Sequence, residues 1–368
     1  MKKSKTIVLI LVSLVLTQGL TIGDEDQTQE IKVSASRVLK VAFQKQDVLH
    51  EIMKNSMETG QGLTEAQEAE LKKQRELFNA ETEEMQKIIM SSPVVFKQAI
   101  EIIRVNKDKD IGRFLRAWGI SGIDTDNSAI LEIVLELLED PDPDMQKTAI
   151  YALTPKRKPH FHSQKYNRSI QSVGAITKDK TDYAIKNEKA RTALKELFTR
   201  TDEKDVKKDI IWALTYSQKL DNEITEMFIE TLRNEDDVNI INELTMGFIT
   251  CGLDGKSVDV LAEVLNNTND KRIKSLVASA LAHYPFEDNT YNVLLNILHH
   301  EEDEIIKLAI VSNMNFEIRV RLKKNKDAGA PIELPKNLEK DLKDILPDEK
   351  SDKVKEEIKK TLEILKTK

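Results

Sequence analysis

The sequence predicts an all-α protein in which consecutive helix pairs stack as an α-solenoid. The first observation is an apolar position that recurs along the chain, which we call the anchor. Anchors stand at Ile111, Met145, Val206, Ile240, Ile273 and Ile305, separated by 34, 61, 34, 33 and 32 residues. A steady period near 33 residues is typical of paired helices, because one pair cannot bury its apolar face without its neighbours.

The second observation is an acidic residue three positions before every anchor. These acids are Asp108, Asp142, Glu203, Asp237, Asp270 and Glu302. We expect each acid to lie at the start of the second helix of its pair. There it accepts hydrogen bonds from free backbone N–H groups and complements the helix dipole. A mostly small residue follows seven positions after each anchor, as at Ala213, Gly247 and Ala280, and lets the next pair approach closely.

The first helix of each pair precedes the acidic turn. We predict first helices over residues 128–138, 187–198, 223–232, 258–265 and 291–298, each ending seven or eight positions before its anchor. Pro93 stands where a proline at the first helical position would open the earliest of these helices.

The unit around Met145 resembles a HEAT repeat, close to the subtype of phycobilisome-lyase-like proteins. Its residues 138–153 read Leu-Glu-Asp-Pro-Asp-Pro-Asp-Met-Gln-Lys-Thr-Ala-Ile-Tyr-Ala-Leu, and segments 201–214 and 269–281 are similar. The resemblance covers residues 92–316 and implies partner binding rather than a reaction. That family usually has a basic residue directly after the anchor, which here only Lys207 and Lys274 supply. The other positions hold Gly112, Gln146, Ile241 and Ile306.

The N-terminal 23 residues have the pattern of a secretory signal peptide. Lys2, Lys3 and Lys5 precede an apolar core from residue 6 to 16, and a polar stretch opens at Asp24. An uncleaved membrane anchor is the alternative. In either case we expect the body to be exported, to the periplasm or the cell envelope, and no later segment is apolar enough to span a membrane. The single cysteine, Cys251, means that no internal disulfide holds the exported chain.

Helical caps are predicted on both sides of the array. Residues 24–91 form a helical hairpin, with Thr64 and Gln67 as the capping box of a helix that ends near Ile89. A coiled-coil arm is the alternative for this region. Residues 317–368 form a linker and capping helices, with a short helix at 337–346 and a last helix capped by Ser351.

The spacing of 61 residues contains an insertion at residues 155–186. Its part from 156 to 168 carries five basic residues, two histidines and no acid. Long insertions in repeat arrays map to loops that often bind partners, so this loop is a candidate second contact for an acidic partner. The candidate residues are Lys156, Arg157, Lys158, His160, His162, Lys165 and Arg168. A solvated loop without a role is the alternative, and two histidines alone are too few for a metal site.

No common catalytic motif is present in the sequence, so we nominate no catalytic residue, metal or cofactor. The net charge of −7 becomes −10 when the three lysines of the signal segment are removed, which disfavours nucleic-acid binding. The sequence therefore favours an exported scaffold or adaptor that binds a protein or peptide on its concave helical surface. An enzyme or enzyme-assisting factor of the lyase-like type is the alternative, and the oligomeric state stays open.

Overall fold

The computed structural model is all-α throughout the residues that it describes, as the sequence predicts. These residues are 29–31, 33–35, 64–107, 109–123, 127–154, 185, 187–215, 222–252, 255–284, 288–328 and 334–366. They form two compact units, one ending at Val206 and the other beginning at Lys207. The predicted signal segment 1–23, residues 36–63 of the predicted hairpin, Asp108 and the candidate residues of the insertion lie outside the described residues.

The first unit is built from two layers of helices. Its helices are α1 (Glu65–Ile89), α2 (Pro93–Val105), α3 (Asp110–Phe114), α4 (Ser128–Leu138), α5 (Pro143–Leu153) and α6 (Glu188–Arg200), and α3 continues as a π-helical turn over Leu115–Gly119. The helices α2, α4 and α6 pack side by side, while the π-helical turn packs between α1 and α5. The Phe78 ring of α1 meets the Trp118 ring edge-on, with ring centres 5.0 Å apart.

The second unit repeats this arrangement. The helix α7 (Lys204–Thr215) spans the boundary between the units. After it come α8 (Asn222–Asn234), α9 (Val238–Cys251), α10 (Gly255–Asn267), α11 (Lys271–Leu281), α12 (Asp288–His300), α13 (Glu304–Ala328), α14 (Leu338–Ile345) and α15 (Asp352–Lys366). The first helices α8, α10, α12 and α14 form one layer, and the second helices α9, α11, α13 and α15 form the other.

Helix starts follow local capping chemistry. Thr64 and Gln67 form the predicted capping box of α1, which ends at Ile89 as expected. Ser92 caps α2, and Pro93 is the first residue of that helix. Ser351 accepts a hydrogen bond from the Val354 N–H, which confirms the predicted start of the last helix.

The C-terminal part contains the two predicted helices as α14 and α15. The helix α13 continues to Ala328, past residue 317, where the sequence predicts that a linker begins. The pair α14–α15 has the layout of the preceding pairs, since Val354 is fully buried and stands three residues after the capping Ser351, as an anchor does. The pair thus adds one more helix pair to the second unit.

Candidate functional site

The anchors are buried in the structure, with one exception. Ile111, Met145, Val206, Ile240 and Ile273 are each at most 7% exposed. Ile305 is 66% exposed, whereas its neighbour Ile306 is 1% exposed. The anchor of this pair is therefore Ile306, and the choice of Ile305 was wrong by one residue. With Ile306, the last spacing becomes 33 residues, in line with the two before it.

The start of each second helix explains this register. Asp142, Asp237 and Asp270 accept hydrogen bonds from backbone N–H groups at the starts of α5, α9 and α11, as predicted. In α13 this role belongs to Asp303, whose Oδ1 accepts the Ile305 N–H at 2.9 Å, and not to Glu302. A carboxylate at this position also stabilises the helix through its dipole.

A second side chain supports each of these turns. It stands two residues before the capping position and accepts a hydrogen bond from the backbone N–H of that position, at 2.8–3.2 Å. The acceptors are Asp140, Thr201, Glu235, Thr268, Glu301 and Glu349. This position is not among those predicted from the sequence, although its polar residues recur five residues before each anchor.

In two helix pairs a lysine that directly follows the anchor forms an ion pair with the next pair. Its partner there is the acceptor residue, which stands two residues before the capping position. Lys274 Nζ lies 3.3 Å from Glu301, and Lys307 Nζ lies 2.8 Å from Glu349. Burial alone would raise the pKa of Glu349, but the hydrogen bond from Lys307 and the N–H of Ser351 outweigh it and hold this pKa below its usual value. Because Ile306 is the anchor, Lys307 occupies the basic position that the sequence analysis missed in this pair.

The bridge is absent between α9 and α11. Ile241 stands in the lysine position, and Thr268 stands in the acceptor position. At this place the structure has a pocket of about 170 Å³, which we call the turn pocket. It is lined by Leu232, Arg233, Glu235, Ile241, Glu263, Val264, Asn267, Thr268 and Ile273. Sites for whole small-molecule ligands usually measure roughly 300–1,000 Å³, so this pocket suits a smaller group.

The second helices α9, α11 and α13 present a face with few charges, whereas α15 has the charged residues Lys353, Glu356, Glu357 and Lys360 at the same positions. We call this surface the second-helix face and define it by Asn239, Asn242, Glu243, Met246, Arg272, Ser275, Leu276, Ser279, Ile305, Leu308, Ala309 and Ser312, all partly or well exposed. Only two of these twelve side chains are charged, and Arg272 is paired with Asp270 at 2.8 Å.

The first helices α8 and α10 differ sharply from this face. Their exposed residues include seven charged ones, which are Glu223, Glu226, Glu230, Arg233, Lys256, Asp259 and Glu263. Some of these charges pair between the two helices, since Lys256 bonds to Glu226 and Arg233 lies 3.0 Å from Glu263. A protein interface is depleted of charged residues at its core, so the second-helix face is the better candidate for a partner.

Within the described residues, no group of three or more histidines, cysteines, aspartates or glutamates is placed to hold a metal ion. His283 is buried, and this burial lowers its pKa to about 4, so it is neutral at physiological pH. No described helix is long and apolar enough to cross a membrane.

Comparison with known proteins finds no protein-family model and no curated protein that matches this chain.

Proposed function

We propose that the protein is an exported HEAT-like scaffold or adaptor that binds a protein or peptide partner through the second-helix face. The observation that carries this proposal is the contrast in charge between the second-helix face and the exposed side of α8 and α10. The face also includes Met246, Leu276 and Ile305, and Ile305 is 66% exposed. Apolar side chains of this kind supply the core of protein interfaces, where burial of each stabilises binding by about 1.5–3 kcal/mol.

The HEAT-like assignment is supported by the repeated chemistry of the turns. Each of three helix pairs has an aspartate cap three positions before a buried anchor, at Asp142, Asp237 and Asp270. Lys274 and Lys307 add the basic residue after the anchor that is usual in the family which the sequence resembles. Export is supported by the N-terminal 23 residues, and the basic loop at 156–168 is proposed as a second contact for an acidic partner.

The test is crosslinking and pulldown of the mature protein from its own cells, with variants of one face compared with the other. Ile305→Glu places a charge on the second-helix face without touching the core, because Ile305 is exposed. Asn292→Glu makes a similar change at an exposed position of the first helix α12. We expect the crosslinked partner to be lost with Ile305→Glu and retained with Asn292→Glu. Equal recovery of the partner with both variants would count against the second-helix face.

A further inference from the structure

The turn pocket lies where the neighbouring pairs have a lysine–glutamate bridge. Between α11 and α13, and again between α13 and α15, a lysine reaches a glutamate at this position. Between α9 and α11 the two positions hold Ile241 and Thr268, and both line the pocket. Its lining includes the aliphatic side chains of Leu232, Ile241, Val264 and Ile273.

The size of the turn pocket fits one side chain. An apolar cavity of roughly 150 Å³ in a protein binds benzene, so a space of this order accommodates a group of about six carbon atoms. The turn pocket, at about 170 Å³, therefore has room for a leucine, isoleucine or methionine side chain. Pockets that receive one anchoring side chain are a common source of affinity in protein interfaces.

The rim of the pocket is acidic. Arg233 and Glu263 form an ion pair across it at 3.0 Å, and Glu235 adds a further negative charge. One oxygen of Glu235 accepts the N–H groups of Asp236 and Asp237, which fixes the carboxylate beside the pocket. The rim thus has a net charge of −1 and favours a cationic neighbour of the inserted side chain.

We propose that the turn pocket binds a peptide segment of a partner protein that presents one aliphatic side chain next to a lysine or arginine. The aliphatic side chain fills the space of the missing bridge, and the cationic side chain pairs with Glu235. This inference rests on the proposed binding of a protein partner. It adds a second binding site, next to the turns that join the helices of the second unit, and it specifies the chemistry of the bound peptide.

The test selects peptides from a displayed random library on the full mature protein. We expect the enriched peptides to combine an aliphatic residue with a neighbouring lysine or arginine. Asn267→Trp places a bulky ring at the lining of the pocket, and Asn266→Trp is its matched control, an exposed neighbour on the same helix that does not line it. Binding should weaken by roughly tenfold or more in Asn267→Trp, since burial of one aliphatic side chain accounts for a factor of this order, and stay unchanged in Asn266→Trp.

A second variant fills the pocket in another way. The double change Ile241→Lys with Thr268→Glu introduces the same bridge that the two neighbouring pairs contain, and it should also abolish peptide binding. No enrichment of this sequence type, or selected peptides that bind the Asn267→Trp protein as tightly as the parent, would overturn the inference. Peptides whose binding is lost only in Ile305→Glu would support the second-helix face and reject the turn pocket.

Discussion

At the scale of single residues, Gly247 is the point at which α9 packs closely against α7. A Cβ atom at this position would lie 2.6 Å from Thr215 Cγ2. We expect Gly247→Ala to lower the free energy of unfolding by up to about 2 kcal/mol, because overpacking costs about 1–3 kcal/mol and the better helix propensity of alanine returns about 1 kcal/mol. Urea unfolding of the variant measures this change.

The control for this prediction is Thr215→Ser. Serine keeps the hydroxyl that donates to the Ile211 carbonyl at 2.8 Å and removes Cγ2. In this background Gly247→Ala should be close to neutral or stabilising, because the 2.6 Å contact is gone and the gain in helix propensity is opposed only by the looser contact with Cβ of residue 215, at 3.3 Å. An equal loss of stability in both backgrounds would show that the contact with Thr215 is not the cause.

The neighbours Ile305 and Ile306 test the corrected register directly. Ile306→Ala should lower the free energy of unfolding by about 2–5 kcal/mol, because it leaves a cavity in the core. Ile305→Ala should change it by less than about 0.5 kcal/mol, as expected for an exposed side chain. Chemical unfolding of both variants distinguishes the two registers, and a larger effect at Ile305 would restore the original choice of anchor.

At the scale of elements, the bridge between Lys307 and Glu349 joins α13 to the turn before α15. The two side chains are only 11% and 3% exposed. Lys307→Met leaves the Glu349 carboxylate buried without its cation, so we expect a loss of about 3–5 kcal/mol in the free energy of unfolding. The double variant with Glu349→Gln should recover part of this loss, because the amide keeps an acceptor for the Ser351 N–H. A double variant as unstable as Lys307→Met would contradict this account.

The same bridge predicts a dependence of stability on pH. The pKa of Glu349 is lower in the folded protein than its ordinary value of 4.5, despite burial, mainly through the hydrogen bond from Lys307. A lowered carboxylate pKa adds stability above the ordinary value, and this stability is lost as the pH falls through the lower, folded-state value. As the pH falls from 6 to below about 4.5, the parent should therefore lose more free energy of unfolding than the double variant Lys307→Met, Glu349→Gln. Urea unfolding at several pH values measures this difference. Parallel curves for the two proteins would exclude this contribution.

The sequence predicts elements well where local chemistry decides them. The bounds 128–138 coincide with α4, and Thr64 correctly opens α1, because capping depends on residues close in sequence. The sequence leaves two registers for α13, because an acidic residue stands three positions before each of two adjacent isoleucines. Burial in the core decides between Ile305 and Ile306, and burial depends on the folded structure. The turn pocket also needs three dimensions, since it is lined by residues of four helices and their turns.

At the scale of the whole molecule, the proposed export predicts that the N-terminal segment is removed from the functional protein. If the N-terminal 23 residues are a signal peptide, the protein isolated from its own cells should begin near residue 24, and N-terminal sequencing with intact mass measurement will show it. Replacing Leu9 and Leu11 with arginine should block processing, because the apolar core of a signal peptide must remain uncharged. A mature protein that retains residues 1–23 would instead support the uncleaved anchor.

The distribution of charge over the whole chain leads to the last prediction. Without the predicted signal segment the chain has a net charge of −10, whereas residues 156–168 carry five positive charges and no negative one. If this loop contacts an acidic partner, the attraction is screened over about 8–10 Å at physiological salt, so added salt should slow association more than it speeds dissociation. Replacing Lys156, Arg157, Lys158, Lys165 and Arg168 with serine should lower the association rate with the partner found by pulldown and remove most of its salt dependence. Circular dichroism and thermal melting should stay unchanged, because the loop lies between predicted helix pairs. Association at the parental rate in low salt would show that recognition belongs to the helical surfaces alone.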